Sequence, residues 1–269
     1  MKLVKLGTTS ALALAAFAST SVSAFAAPET GDYSREYKSN AIVEFLPDDG
    51  STGPIDPENP DPNNPVNPWD PSTPNHEPNP GTDGPLSIDY ASSLEFGKNK
   101  ITNKDEVYYA DPQYLWNEDH TDVDLTTAKP NFVQVSDKRG TNAGWSLTVK
   151  QEGQLKNENT QNKELTGAEI AFAQSTPVSN AENVTVPKVM DITLDPNGAS
   201  SNVMVASNGA GAGKWVDRFG SAEKVEIDGE QVFKNTAITL SVPGKTPKDA
   251  VKYETQLTWT LTDAPGNNE

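Results

Sequence analysis

From Leu86 onward, apolar residues recur at every second position, and short motifs rich in Asn, Asp, Gly and Pro separate the runs. The clearest run is the last, in which Leu257, Trp259 and Leu261 alternate with threonines. Because successive side chains of a strand point to opposite faces, this period predicts strands with one buried face. No part of the region repeats with the period of a helix. The sequence therefore predicts an all-β fold, a single β-sandwich or Greek-key-like domain over residues 86–269.

The N-terminus has the pattern of a secretory signal peptide over residues 1–26. Lys2 and Lys5 precede an apolar run that is too short to cross a bilayer, and the Ala-Phe-Ala triplet ending at Ala26 fits a cleavage site. We therefore expect a secreted, extracellular protein without direct membrane insertion. The C-terminal residues contain no sortase motif and no apolar tail, so we expect any retention at the cell to be non-covalent.

Between the predicted signal peptide and the predicted β-domain, the composition changes twice. Within residues 27–46, the apolar stretch at residues 41–46 is a candidate for one strand. Residues 47–85 then hold twelve of the chain's 21 prolines, mostly preceded by Asp or Asn. Proline fixes φ and favours extended backbone at the residue before it, so we expect an extended insert that buries little. Deletion of residues 50–82 is accordingly expected to leave the β-domain folded.

Charge and residue types exclude several functions. The formal net charge is −17, which argues against nucleic acid as a partner because binding the phosphate backbone requires a basic surface. Local basic pairs such as Lys138 and Arg139 are candidates for short-range contacts only. The chain contains no cysteine, so disulfides, thiolate nucleophiles and thiolate metal sites are excluded.

The remaining residue types that carry chemistry are sparse. The two histidines, His76 and His120, lie in polar segments outside the predicted strands, so we expect no catalytic constellation, no enzyme and no cofactor. The densest carboxylate cluster is Asp119, Asp122 and Asp124. It lacks the spacing of an EF-hand, and we expect a solvated acidic loop rather than a calcium site.

Two segments share a Trp-x-Leu-Thr motif. Trp145 and Leu147 belong to one, and Trp259 and Leu261 belong to the other. Since residues two apart on a strand share a face, each motif presents an indole ring beside a leucine. Two interpretations stay open at this point. The four side chains either pack in the core of a sandwich or form an exposed apolar ledge that stacks on a sugar ring or a partner strand.

The surroundings of these motifs resemble the WxL-domain family of Gram-positive cell-surface proteins. The distal match covers residues 253–265, where Tyr, Leu, Thr-Trp-x-Leu and Pro follow in the family's order, and the proximal match covers residues 135–147. The opening strands near residues 86–90 and the penultimate strand at residues 240–244 also resemble the family, as does the proline-rich insert.

The resemblance implies a small, stand-alone WxL protein that binds peptidoglycan non-covalently, in a surface complex with other WxL proteins and membrane-anchored WxL-interacting proteins. The alternative is a structural or adhesion subunit that binds another surface protein or a host matrix protein, with indirect wall association. In both cases the candidate binding residues are Trp145, Leu147, Tyr253, Leu257, Trp259 and Leu261.

Overall fold

The computed structural model describes residues 35–264, and every regular element in that range is a β-strand. The prediction of an all-β fold is thus confirmed. None of these residues lies in a helix with the length and hydropathy needed to cross a membrane. The fifteen strands of the described range are β1 (Leu86–Ala91), β2 (Glu106–Ala110), β3 (Gln113–Trp116), β4 (Val123–Lys129), β5 (Asn131–Asp137), β6 (Trp145–Gln151), β7 (Glu169–Phe172), β8 (Ser175–Val178), β9 (Lys188–Val189), β10 (Ile192–Thr193), β11 (Ser200–Ala206), β12 (Gly213–Phe219), β13 (Ala222–Ile227), β14 (Glu230–Val242) and β15 (Leu257–Thr262).

The strands form antiparallel sheets in which neighbours are often far apart in sequence. The first sheet has the order β1-β5-β12-β8, and a second, here called the motif sheet, has the order β15-β6-β11-β9. The third has the order β10-β7-β14-β13, and β2 also pairs with β14. A separate hairpin consists of β3 and β4. Crossovers between sheets of this kind are typical of the predicted sandwich class.

The core lies between the sheets and follows the alternation in the sequence. On β6, Trp145, Leu147 and Val149 are fully buried, whereas the intervening Ser146 and Thr148 are only half-buried. Each buried side chain of this size contributes roughly 1.5–3 kcal/mol relative to an exposed one. The other sheets add Val133 and Val135 of β5, Phe172 of β7, Trp215 of β12 and Ile238 of β14 to the same cluster.

The expectation of an extended insert that buries little is wrong for residues 47–85. Ile55 is 0 % exposed and packs in a second apolar cluster with Tyr90, Phe132 and Val216. This cluster lies on the face of the first sheet that points away from the main core. All seven residues of β5 are consequently buried, because the core covers one face of the strand and the proline-rich segment covers the other.

Side-chain hydrogen bonds explain why this segment folds back instead of extending. Asp56 Oδ1 accepts the Glu58 N–H at 2.9 Å, and Asp61 Oδ1 accepts the Asn63 N–H at 2.9 Å. Such contacts form Asx turns, which reverse the chain between prolines. A backbone bond of 2.9 Å from Val66 N–H to the Pro54 carbonyl closes the resulting loop.

The strand expected at residues 41–46 is not formed. These residues have no strand geometry, and their apolar side chains are exposed. Ile42 is 95 % exposed and Phe45 is 87 % exposed. The signal peptide predicted at residues 1–26 lies outside the described residues and stays a prediction.

Asp217 on β12 is a buried carboxylate. Ser175 Oγ lies 2.7 and 2.6 Å from its two oxygens and donates a hydrogen bond to them. Burial raises the pKa of Asp217 to about 7, because the loss of solvent penalises the charged form more than the Ser175 hydrogen bond favours it. The Asp191 carboxylate nearby also raises this pKa. At mildly acidic pH, Asp217 is therefore protonated in the folded state and ionised in the unfolded state.

This titration predicts a negative slope of stability with pH. The folded pKa exceeds the ordinary value of 3.8, so the native state retains a proton that the unfolded state has lost. We expect Asp217 to lower the free energy of unfolding by about 1.4 kcal/mol per pH unit from about pH 5 to about pH 6. Urea titrations across this range should show that Asp217→Asn removes the contribution.

Asp249→Asn is the matched control for this measurement. Hydrogen bonds from Thr160 and Asn162 lower the pKa of Asp249, so its titration lies below the tested range and its loss should leave the slope unchanged. If the free energy of unfolding of Asp217→Asn changed with pH as steeply as that of the unmodified chain, the raised pKa could not be assigned to Asp217.

Candidate functional site

The two Trp-x-Leu motifs lie side by side in the motif sheet. β6 and β15 pair antiparallel, with Leu261 opposite Leu147 and Trp259 opposite Val149. The odd-numbered side chains of both strands therefore point to the same face, toward the core. More than a hundred residues separate the two strands in sequence, so the alternation of each strand predicts its buried face but not that the strands are neighbours.

The proximal motif is part of the core. Trp145 and Leu147 are both 0 % exposed. The Trp145 indole N–H donates to the Gly211 carbonyl at 3.0 Å, which satisfies its only polar atom. Gly211 has φ of 75°, and a Cβ there would lie 2.4 Å from the Ala206 Cβ and 2.7 Å from Trp145 Nε1. Neither motif side chain can therefore touch a ligand, and the core interpretation holds for both.

The distal motif is only half-buried. Leu257, Trp259 and Leu261 pack against the main core from its margin. The Trp259 ring meets the Phe172 ring edge-on, with centroids 6.4 Å apart and an interplanar angle of 88°. These three side chains retain accessible surface because β15 is the outermost strand of its sheet.

Tyr253, the remaining candidate, connects two loops through hydrogen bonds of its hydroxyl group. Its hydroxyl donates to the Asn162 carbonyl at 2.7 Å and accepts the Asp249 N–H at 2.9 Å. The Asp249 carboxylate in turn accepts the Asn162 N–H at 2.8 Å. The geometry gives Tyr253 a positioning role just before β15.

The outer face of the motif sheet carries a row of hydroxyl groups on each of two strands. Thr260 lies opposite Thr148, and Thr262 lies opposite Ser146. The three threonines of β15 are exposed, whereas the hydroxyl residues of β6 are half-buried. We call this surface the hydroxyl face; it consists of Ser146, Thr148, Thr258, Thr260 and Thr262.

Several of these hydroxyls bind neighbouring protein groups. Ser146 Oγ donates to the Ala264 carbonyl at 3.1 Å. Hydrogen bonds from Lys150 and, to a smaller extent, from the Thr258 hydroxyl lower the pKa of the Glu152 carboxyl. Within residues 35–264, no hydrogen bond engages the Thr260 hydroxyl. The Thr260 hydroxyl thus lies near the middle of the face, free to donate and to accept hydrogen bonds.

The cations near the motifs are paired with acids. Lys138 Nζ lies 2.8 Å from an Asp48 carboxylate oxygen. Arg139 forms a 2.8 Å ion pair with Asp137 and also donates to the Gly144 carbonyl at 2.8 Å. Lys138 and Arg139 therefore do not form the free basic pair that the sequence suggested.

Sequence reasoning missed an aromatic cluster that joins the proline-rich segment to the β3–β4 hairpin. His76 stacks on Trp69 with ring centroids 4.0 Å apart, and His120 stacks on Trp116 at 4.2 Å. The two indoles meet edge-on at 4.4 Å. Both histidines have positive φ, at 58° and 52°, so each lies in a turn that directs its ring onto a tryptophan. The Asx-Pro pattern carried no signal for this contact.

The acidic residues near this hairpin form local turns. Asp124 Oδ1 accepts both the N–H and the hydroxyl of Thr126, at 2.9 and 2.7 Å, and Asp122 accepts the Val123 N–H at 2.7 Å. In the described part of the chain, no three His, Asp or Glu side chains converge as metal ligands would.

The comparisons with known proteins identify one family. No curated protein matches the chain, and no solved structure matches it. A family model described as "WxL domain surface cell wall-binding" matches residues 32–265. That match includes both Trp-x-Leu motifs, the proline-rich segment and all fifteen strands of the described range. The chain therefore belongs to the WxL family of surface cell wall-binding domains.

Proposed function

We propose that this chain is a secreted protein that binds peptidoglycan directly and non-covalently through the hydroxyl face. The family to which it belongs is a cell wall-binding surface domain, which supports an extracellular location at the wall. Other WxL proteins and membrane-anchored WxL-interacting proteins are its proposed partners in a surface complex. The function is binding without catalysis and without a cofactor.

The observation that carries this proposal is the arrangement of the two motifs. Their apolar side chains hold the motif sheet on the core, and the same alternation turns the hydroxyl face outward. Hydroxyl groups both donate and accept hydrogen bonds, as the hydroxyls of a glycan strand do. The five side chains are also uncharged, and the Glu152 carboxylate beside Thr258 forms a 2.9 Å ion pair with Lys150, so a strongly acidic protein presents no unpaired carboxylate at this contact.

Thr260→Glu is expected to weaken binding to purified, partner-free sacculi by at least about tenfold, equivalent to roughly 1.4 kcal/mol. The new carboxylate would disrupt the neutral surface without touching the core, because Thr260 is exposed. Sedimentation of the protein with sacculi measures the affinity. Gln231→Glu is the control, since it adds the same charge at an exposed position of β14.

Three outcomes of this experiment count against the proposal. Equal affinity of Thr260→Glu and Gln231→Glu would exclude the hydroxyl face as the contact. Binding that appears only after surface proteins are added would favour the alternative function, in which a partner protein mediates wall association. Release of muropeptides during incubation would contradict a role without catalysis.

Salt provides an independent prediction. The chain carries a net charge of −17, and Gram-positive walls contain anionic polymers, so long-range electrostatics oppose the approach of the protein. Added sodium chloride screens this repulsion over distances beyond about 10 Å at 0.1 M. We expect sacculus binding to hold steady or to strengthen along a salt series at neutral pH. Progressive elution with salt would indicate attraction through a basic patch instead.

A further inference from the structure

We infer that the open edge of β15 accepts residues 41–46 of a second copy of this chain as an added strand. The inference concerns self-association and goes beyond the proposed wall binding. It rests on the backbone of an edge strand, the composition of that edge, and an exposed segment that matches it.

The backbone of β15 has one side without a partner. The Glu152 N–H donates to the Gln256 carbonyl at 2.9 Å across the β6–β15 pair. Because antiparallel pairing alternates, the even-numbered residues of β15 turn their backbone groups toward β6, and Leu257, Trp259 and Leu261 turn theirs outward. Within the described residues, β15 pairs with β6 alone.

This edge lacks the protection that other edges of the fold have. The sequence of β15 is Leu-Thr-Trp-Thr-Leu-Thr, without charge or proline. By contrast, Thr82 covers the edge of β1, because its N–H donates to the Ile88 carbonyl at 2.8 Å and its Oγ1 accepts the Ile88 N–H at 2.9 Å. Pro177 lies within β8, where its ring nitrogen has no hydrogen to donate, and β13 carries Glu223, Lys224 and Glu226. A neutral six-residue edge of this kind is a template for strand addition.

The side chains along the β15 edge also leave apolar surface uncovered. Leu257, Trp259 and Leu261 are half-buried against the main core. Leu86 and Ile88 of β1 are half-buried against the same core, and β1 lies beside β15 without pairing with it. The outer side of β15 is therefore an apolar margin of the core, and a strand added along it would bury further surface.

Residues 41–46 have the properties of a strand that fits this edge. Ile42, Val43, Phe45 and Leu46 are 95, 74, 87 and 79 % exposed. β-branched and aromatic residues favour strands, and the segment has the same six-residue length as β15. Pro47 then limits the pairing at its C-terminal end.

A second copy is the occupant because each molecule supplies both the exposed segment and the open edge. Within residues 35–46, Arg35 and Lys38 balance Glu36 and Glu44, so the segment itself is not repelled. Two whole chains repel each other through their net charge, and we expect association to tighten as salt rises. Reciprocal exchange would give a closed dimer, and one-way exchange would give longer assemblies.

The first test measures the mass of the chain, as recovered from culture, by sedimentation at micromolar concentration. The double variant Ile42→Asp/Phe45→Asp should weaken self-association at least about tenfold. Tyr37→Asp is the matched control, since Tyr37 is 94 % exposed but lies outside the six-residue segment. A monomer at all concentrations, or equal association of the double variant and the unmodified chain, would overturn the inference.

The second test locates the contact. A synthetic peptide of residues 39–47 is added to the double variant, whose own segment is disabled, and hydrogen exchange is followed. The amides of Leu257, Trp259 and Leu261 should become protected, and a peptide with the same two substitutions should leave them unchanged. Protection elsewhere, or none, would overturn the assignment to β15. Sacculus binding by the double variant should match that of the unmodified chain, so loss of wall binding is distinguishable from loss of self-association.

Discussion

Replacing Trp145 by alanine is expected to lower the free energy of unfolding by about 3–5 kcal/mol. The indole is fully buried and its N–H bonds to the Gly211 carbonyl, so truncation leaves a cavity and a carbonyl without its partner. In a domain of this size, the change corresponds to a melting temperature lower by roughly 6–20 °C. Urea denaturation followed by circular dichroism provides the measurement.

Trp259→Ala is the matched comparison, because Trp259 occupies the equivalent position of the second motif but is only half-buried. Its loss should cost distinctly less than the loss of Trp145. Equal costs would show that the β15 margin is as enclosed as the core, for example because the edge is covered in solution. The two substitutions are then compared in the Ile42→Asp/Phe45→Asp background, which is expected to be monomeric. If a second copy covers the edge, the cost of Trp259→Ala should fall below that of Trp145→Ala in this background.

Deletion of residues 50–82 should unfold the domain or destabilise it more than any single substitution within the segment. Ile55→Ala alone is expected to cost about 2–5 kcal/mol because Ile55 is fully enclosed. The deletion would also expose Phe132 and Val216 and leave Gln134 without its bonds to Gly53 and Ile55. Thermal melts of the deletion variant and of Ile55→Ala test the expected order.

Val66→Ala serves as the control in the same segment, since Val66 is half-buried and outside the second apolar cluster. It should change the melting temperature little. A deletion variant that melts like the unmodified chain would restore the original expectation of an insert that buries little.

The alternation of apolar residues predicted the fold class because burial of one face is a local property of a strand. Trp145 and Leu147 illustrate this, as their strand and their buried face follow from spacing alone. The same spacing could not distinguish a core tryptophan from an exposed one. That difference depends on the position of each strand in its sheet, central for β6 and outermost for β15.

The proline-rich segment shows where local reasoning failed. Proline and Asx residues predict backbone conformation over a few residues, but Ile55 is held by Gln134, 79 residues away. The stacking of His76 and His120 on two tryptophans likewise depends on contacts between distant segments. The available signal in the sequence was a single isoleucine, Ile55, among prolines and polar residues. The polar composition of the segment led to the prediction that it buries little.

The pairing of β6 with β15 has a consequence for how the molecule would fold in the course of the proposed export. A chain that emerges N-terminus first presents β6 long before β15, since 112 residues separate Thr148 from Thr260. Until β15 arrives, the motif sheet lacks its outer strand, and the cost of closing so long a loop makes folding slow. During the proposed export, the chain would therefore remain unfolded in passage and complete its core only once β15 has crossed. A binding surface that depends on both strands would then form outside the cell.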